Sequence, residues 1–343
     1  MKRSRPWILL LLAFALVGSC GKEVPTLYVY NFTVYMPSEV LRAFEKKYGV
    51  RVVYEEYTTN EEMLTKLQSG AAGYDVVFPS GDHVSIMAKL GLLEPLDKTQ
   101  LGNFSNLDAG VLSRIRFDPG NRYSMPYLMG AAGIAVNKAK VKAFEPSFTV
   151  FDRADLKGRM TLLDDMREIL GAALRLKGHS VNTTNEAELL AAKKTVMGWK
   201  KNIQRFDAES FGKAFAAGEF WVVSGYAENV WKALEGNEPM KSNTVFFLPR
   251  EGGSMYMDNM VILKSSRHKE LAHRFLQFVH EPEVYARIAM HFQLPSVNRA
   301  ADRFITNTPH YRLSDLDRFE FKEDLGPAVE RYNRIWQEIR VEN

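Results

Sequence analysis

Cysteine is nearly absent: Cys20 stands alone among 343 residues. A lone thiol closes no disulfide within the chain, so the fold must be held by burial. Long apolar runs are scarce too. The most prominent, Trp7 to Val17 (WILLLLAFALV), has 11 residues, short of the roughly 20 that cross a bilayer as a helix. No second run after Cys20 approaches that length. There is no Lys/Arg block, which argues against nucleic acid as a partner. There is no GxSxG, HExxH or P-loop pattern, and processing would leave no cysteine nucleophile, which argues against an enzyme. The 7 histidines (His83, His179, His268, His273, His280, His291 and His310) are scattered, which argues against a transition-metal site. His273 and His280 lie seven apart on one expected helix and read as surface or packed residues. Asp164, Asp165 and Glu168 crowd one helix, a poor arrangement for attacking both faces of a sugar.

What is present begins with a leader. Lys2, Arg3 and Arg5 precede the apolar run, and Gly18, Ser19 and Cys20 follow it. That is a basic n-region, an h-region and a small-residue cleavage site, which predicts a signal peptide over residues 1–19. Val17-Gly18-Ser19-Cys20 resembles the lipobox of bacterial lipoproteins. In that reading the chain is cut before Cys20, and Cys20 carries the lipid. The alternatives are an ordinary secretory signal with an unrelated cysteine, or a retained membrane anchor. Cleavage leaves 324 residues and removes three positive charges, so the formal charge of +4 becomes +1. That length favours two domains. Apolar residues at 46% and aromatics at 12% suit a globular body with a real core, here a soluble body on a lipid tether.

Strand and helix alternate in the first part. Thr26–Phe32, Val50–Tyr57 and Tyr74–Pro79 read as strands. A helix starts at Pro37-Ser38, with Ser38 as its expected N-cap, and further helices cover Asn60–Leu67 and Val84–Leu90. This is βαβ patterning, hence an α/β fold with a parallel sheet. Ligands bind at the C-terminal ends of such strands, which points to the loops Phe32–Pro37 and Ser80–His83. The pattern resumes with strands at Arg159–Leu163, Trp221–Gly225 and Tyr256–Leu263. Helices are expected over Met166–Leu176, Glu186–Trp199, His268–His280, Glu281–Met290 and Ala328–Ile339. Two α/β lobes fit this order.

Several phrases carry a wider resemblance: YNFTVYMP (Tyr30–Pro37), YEEYTTNEEMLTKLQSG (Tyr54–Gly70), YDVVFPS (Tyr74–Ser80), NFSNLD (Asn103–Asp108) and YSMPYLMGAAGIAVN (Tyr123–Asn137). LLDDMRE (Leu162–Glu168), NTTN (Asn182–Asn185), EGG…MD (Glu251–Asp258) and LGPAVE near the end continue it. Over most of the mature chain the sequence resembles the spermidine/putrescine-binding proteins of bacterial ABC importers. The resemblance implies the two-lobed class II periplasmic binding protein fold with a ligand cleft between the lobes. It implies a first lobe of residues 24–129 and 257–302 and a second of 130–256 and 303–343. The chain would cross between them near Pro126–Ala132, Ser254–Met257 and Asn298–Asp302.

A polyamine is an aliphatic chain with two to four ammonium groups. Carboxylates meet the ammonium groups, and aromatic faces cover the methylenes and attract the cations. By resemblance the binding residues are Phe32, Thr33, Tyr35, Ser80, Asp82, Asp165, Glu168, Tyr226, Tyr256 and Asp258. Phe32 replaces a tryptophan, and Tyr226 stands at a tryptophan position. Tyr256 and Asp258 match a Trp-x-Asp. Each has a plainer alternative: core packing for Phe32 and Tyr35, a helix cap for Ser80, and dipole balance for Asp165 and Glu168. For Asp258 it is a backbone or arginine partner inside an apolar strand. Asp258 and Glu168 rank first. Departures from the family pattern fall at Val34, where an acid is missing, at Asp82, which stands where a tyrosine is found, and at Leu294, which replaces a tyrosine. Lys322 aligns loosely with a glutamine. It points to solvent, pairs with an acid, or shortens the accepted ligand.

The expected function is therefore capture of spermidine or putrescine by a periplasmic, lipid-anchored, monomeric substrate-binding protein. It would serve a membrane permease driven by a separate ATPase. No metal or organic cofactor is implied. The alternatives are a class II receptor for another small cationic solute and a surface adhesin.

Overall fold

The computed structural model of this chain describes residues 24–70 and 73–342. The signal peptide expected over residues 1–19 and Cys20 lie outside the described residues. The chain begins with β1 (Thr26–Phe32), α1 (Ser38–Tyr48), β2 (Arg51–Tyr57), α2 (Asn60–Gln68), β3 (Val76–Val77) and α3 (Gly81–Lys89). After α4 (Ala109–Arg114), β4 (Ser124–Ala131) runs almost directly into β5 (Gly133–Asn137). Then come β6 (Met160–Leu162), α5 (Met166–Leu176), α6 (Glu186–Lys200), β7 (Arg205–Phe206), α7 (Phe211–Ala216) and β8 (Val222–Gly225). Next are α8 (Ala227–Ala233), α9 (Glu238–Ser242) and β9 (Thr244–Phe247). The long β10 (Ser254–Ile262) returns, followed by α10 (Lys269–Val279), α11 (Pro282–Phe292), β11 (Glu320–Phe321) and α12 (Val329–Val341).

These elements make two sheets, each with its own hydrophobic core. The first has the order β11-β10-β3-β1-β2, with β4 on the other side of β10; the second runs β7-β6-β8-β5-β9. Within the first sheet β1 pairs in parallel with β2 and β3, as βαβ patterning requires. β10 runs antiparallel to both β3 and β4. Helices dock by one apolar stripe. On α10 this is Ala272, Phe275, Leu276 and Val279, and on α12 it is Tyr332, Ile335, Trp336 and Ile339, the i, i+3, i+4, i+7 pattern in both. The α10 stripe packs into the first core and the α12 stripe into the second. Among the described residues no helix is long and apolar enough to cross a membrane.

Three local expectations change. Tyr74–Pro79 contributes only Val76–Val77 to the ladder; on either side of that pair, Leu263 N, just past β10, donates to Asp75 O and Asn259 N, in mid-strand, donates to Pro79 O. Pro37, not Ser38, takes the N-cap position of α1, and the Ser38 hydroxyl accepts instead from Arg42 Nη1 at 3.0 Å. Residues Asn298–Asp302 stay with the first core rather than crossing. Asn298 is buried and donates to His280 O at 3.0 Å, and Ala301, Tyr311, Leu316, Phe319 and Phe321 pack in the same core. The cause is β11, which pairs with Ser254 and Met255 of β10 on the edge of the first sheet. The chain reaches the second core only beyond Phe321, through α12.

Candidate functional site

The site is built around β4 and β10. All nine residues of β10 are buried, yet Ser254 at its start and the adjacent Asp258 and Asn259 in its middle are polar. Their register slips there: Asp258 lies opposite Leu128 and Asn259 opposite Pro126, so Tyr127 is an extra residue. Pro126 has no N–H for the ladder, and a bulge is where a sheet tolerates that. A bulge also re-aims side chains. His280 Nε2 donates to Pro126 O at 2.7 Å, and the Tyr127 hydroxyl donates to Tyr35 O at 2.7 Å. The bulge thereby holds the loop after β1 against the strand that carries Asp258.

Asp258 accepts from Ser80 Oγ at 2.5 Å and from the Tyr35 hydroxyl at 2.8 Å. Ser80 occupies the N-cap position of α3 but makes no side-chain cap bond; its hydroxyl serves the carboxylate instead, and Asn60 Nδ2 donates to that hydroxyl at 3.1 Å. Burial pushes the Asp258 carboxyl up to about 6, against the pull of Ser80, Tyr35 and the charge of Lys322. Phe32 and Tyr35 stand edge to face with ring centroids 5.7 Å apart, and Phe32 also packs on Tyr57 at 4.4 Å. Both are half-buried. Thr33 is exposed, and its hydroxyl and N–H both donate to Tyr57 O, so it pins the loop to β2 rather than facing the cleft. Val34 takes a left-handed φ of 58° there, an uncommon conformation for a β-branched residue.

The facing wall comes from the second sheet. Asp165 is the N-cap of α5, with Oδ1 accepting from the N–H groups of Arg167 and Glu168 at 2.8 and 3.0 Å. Its capping role is thus realised. Glu168 is buried and accepts from Lys322 Nζ at 3.0 Å. Of the three positions open to Lys322, the structure shows pairing with an acid. Burial opposes the ammonium charge of Lys322, but Glu168, Asp165 and Asp82 outweigh it and hold the group charged. Asp82 is half-buried beside His83. Burial alone would raise its carboxyl, yet His83, Lys322 and Arg167 bring it down to about 2. Tyr226 and Tyr256 meet edge to face at 5.7 Å. Leu294 is buried in the first core.

One residue of this wall was missed by sequence reasoning. Glu228, in the first turn of α8, accepts from the Tyr256 hydroxyl at 3.3 Å, while its Oε2 is buried without a partner. Burial pushes its carboxyl up to about 7, and the charge of Asp258 adds to the shift. In sequence it looks like any acid that balances a helix dipole; only its lying two residues after Tyr226 hinted otherwise.

Asp82, Asp165, Glu168, Glu228 and Asp258 therefore share one electrostatic environment walled by Phe32, Tyr35, Tyr226 and Tyr256. Such a set suits an organic cation, with carboxylates for the charge and ring faces for the carbon chain.

Comparison with known proteins agrees. The family of bacterial extracellular solute-binding proteins matches residues 39–312. The putrescine/cadaverine-binding protein of Pseudomonas aeruginosa is 34% identical, over 97% of this chain and 99% of that one. The spermidine/putrescine-binding periplasmic protein of Escherichia coli is 33% identical, over 96% of each. The crystal structure of the TpPotD lipoprotein of Treponema pallidum superposes with a TM-score of 0.89 at 42% identity, covering 92% of this chain and 99% of that one. Proteins of this kind bind solutes and are not enzymes. The chain belongs to the spermidine/putrescine-binding family of bacterial extracellular solute-binding proteins and has their two-lobed α/β fold.

Proposed function

We propose that this protein captures a polyamine in the cleft between its lobes and delivers it to an ABC permease with a separate ATPase. The observation that carries the reading is Asp258, a buried carboxylate oriented by Ser80 and Tyr35 and faced by Glu228 with its free Oε2. Phe32, Tyr35, Tyr226 and Tyr256 supply the aromatic walls. Asp82, Asp165 and Glu168 supply further negative charge. Thr33 acts through the loop it pins. The names of the relatives, putrescine/cadaverine-binding and spermidine/putrescine-binding, support the same ligand class.

The mechanism follows from two walls that each hold half the contacts. Asp258, Glu168 and Glu228 Oε2 are buried between the two walls, so a ligand reaches them when the lobes part. We take the first lobe as residues 24–129 and 257–321 and the second as 130–256 and 329–342. The crossings are then at β4–β5, at the start of β10 and at 322–328. A ligand gains both sets of contacts only in the closed state and so favours it. The leader is removed, Cys20 is acylated, and the monomer works on the periplasmic side of a membrane.

Differential scanning fluorimetry on protein refolded to strip carried-over amine tests the reading. Putrescine, cadaverine or spermidine raises the melting temperature, by about 2.7 kcal/mol of stabilisation at a hundredfold excess over Kd; no rise with any of them contradicts it. For the anchor, the full wild-type chain takes up a labelled fatty acid and Cys20→Ala does not. Equal labelling of the variant, or none of the wild type, overturns lipidation at Cys20.

Binding also depends on pH. Glu228 and Asp258 must both be ionised to meet an ammonium, and burial has pushed them to about 7 and about 6. The ligand stays cationic over the same range. Affinity therefore falls as pH drops from 8 to 5, by about tenfold or more. A flat profile in calorimetry contradicts the assignment of these two acids. Gly130 gives a steric test: it pairs with Tyr256, and a Cβ there would meet the hydroxyls of Tyr256 and Tyr311 at 2.5 Å. Gly130→Ala displaces the Tyr256 ring, and affinity falls about tenfold while circular dichroism is unchanged.

A further inference from the structure

We propose that Lys322 fills one ammonium position of the cleft from within the chain, so that the protein selects a diamine over a triamine. This rests on the polyamine reading above. Lys322 Nζ lies 3.0 Å from Glu168 Oε1, and the two side chains are only 15% and 4% exposed. Asp165, Asp82 and Tyr226 bear on the same ammonium. A carboxylate, neighbouring acids and an aromatic ring are what the cleft offers a bound ammonium, and here the chain supplies that ammonium itself. Lys322 cannot leave as a free ligand would. It directly follows β11, and its N–H donates to Met255 O at 3.3 Å, so its backbone is tied to the strand that carries Tyr256 and Asp258.

The consequence is an asymmetric site. Glu168 already has its cation, whereas Asp258 has only hydroxyl donors and Glu228 has a free oxygen. An incoming ammonium goes to Asp258 and Glu228. A third ammonium would have to compete with Lys322 for Glu168, and the two like charges would repel. Removing the Lys322 charge frees that position for the ligand.

The test is calorimetry of refolded wild type, Lys322→Met and Lys322→Arg with putrescine and spermidine, each protein checked for fold by circular dichroism. Wild type and Lys322→Arg bind putrescine more tightly than spermidine. In Lys322→Met the affinity ratio moves toward spermidine by at least tenfold. A second measurement covers a variant too unstable to titrate: n-butylamine, but not n-butanol, restores the melting temperature of Lys322→Ala. An unchanged ratio, or rescue by both additives alike, overturns the proposal. If folded wild type and variant bind neither amine, the polyamine reading itself fails, and this inference with it.

Discussion

Asp258→Asn lowers polyamine affinity by about a hundredfold or more while leaving the fold intact. The carboxylate lies in the middle of a strand whose nine residues are all buried. Ser80 and Tyr35 fix its orientation, so it meets an ammonium without reorganising. Asparagine keeps the shape but removes the charge and leaves one acceptor oxygen where there were two, so one of the Ser80 and Tyr35 hydroxyls must turn to accept from the amide. Losing one partner of a buried charged pair costs about 2–5 kcal/mol in binding. The effect on the ligand-free protein has the opposite sign. Burial has raised the Asp258 carboxyl from 3.8 to about 6. The stability linked to its proton is thus fully present below 3.8 and is lost as pH rises through 6. Replacing the acid removes that loss. At pH 7.5 the variant therefore melts at the same temperature as wild type or higher, and the difference shrinks at pH 5. Calorimetry and thermal melts at both pH values check this. Lost binding accompanied by a collapsed melting temperature would show that Asp258 holds the fold rather than the ligand.

Glu168→Gln gives the largest loss of stability, about 3 kcal/mol. It leaves the Lys322 ammonium buried without its counter-ion, a change that typically costs about 3–5 kcal/mol. The lower end applies because Asp165 and Asp82 still act on the ammonium. The joint replacement Glu168→Leu with Lys322→Met removes both charges and recovers most of the loss. Urea unfolding of the two single variants and the double variant measures the coupling directly. A loss below about 1 kcal/mol in Glu168→Gln would mean that the pair is solvated and worth no more than a surface ion pair.

Much of this was legible in the sequence, for reasons that differ by element. β1 and β2 are β-branched and aromatic runs between helix starts, and α5, α6 and α10 keep a clear helical period, so they fall within one or two residues of expectation. The resemblance put Tyr35, Ser80 and Asp258 in one candidate site but not their hydrogen bonds to one another, since nothing local in residues 45 and 178 apart announces a contact. β11 was invisible because a two-residue strand has no period, and with it went the packing of Tyr311, Leu316, Phe319 and Phe321 in the first core. The bulge at Tyr127 is a property of two paired strands and of Pro126, not of either strand alone. Glu228 and Lys322 are ordinary charged residues until the lobes come together. Only then do a buried free oxygen and a buried ammonium acquire meaning.

Calorimetric titration of the refolded mature chain with putrescine, cadaverine, spermidine and spermine tests the central claim most directly. The account predicts saturable one-to-one binding of a diamine that is lost in Asp258→Asn. A folded protein that gives no heat and no thermal shift with all four would contradict it.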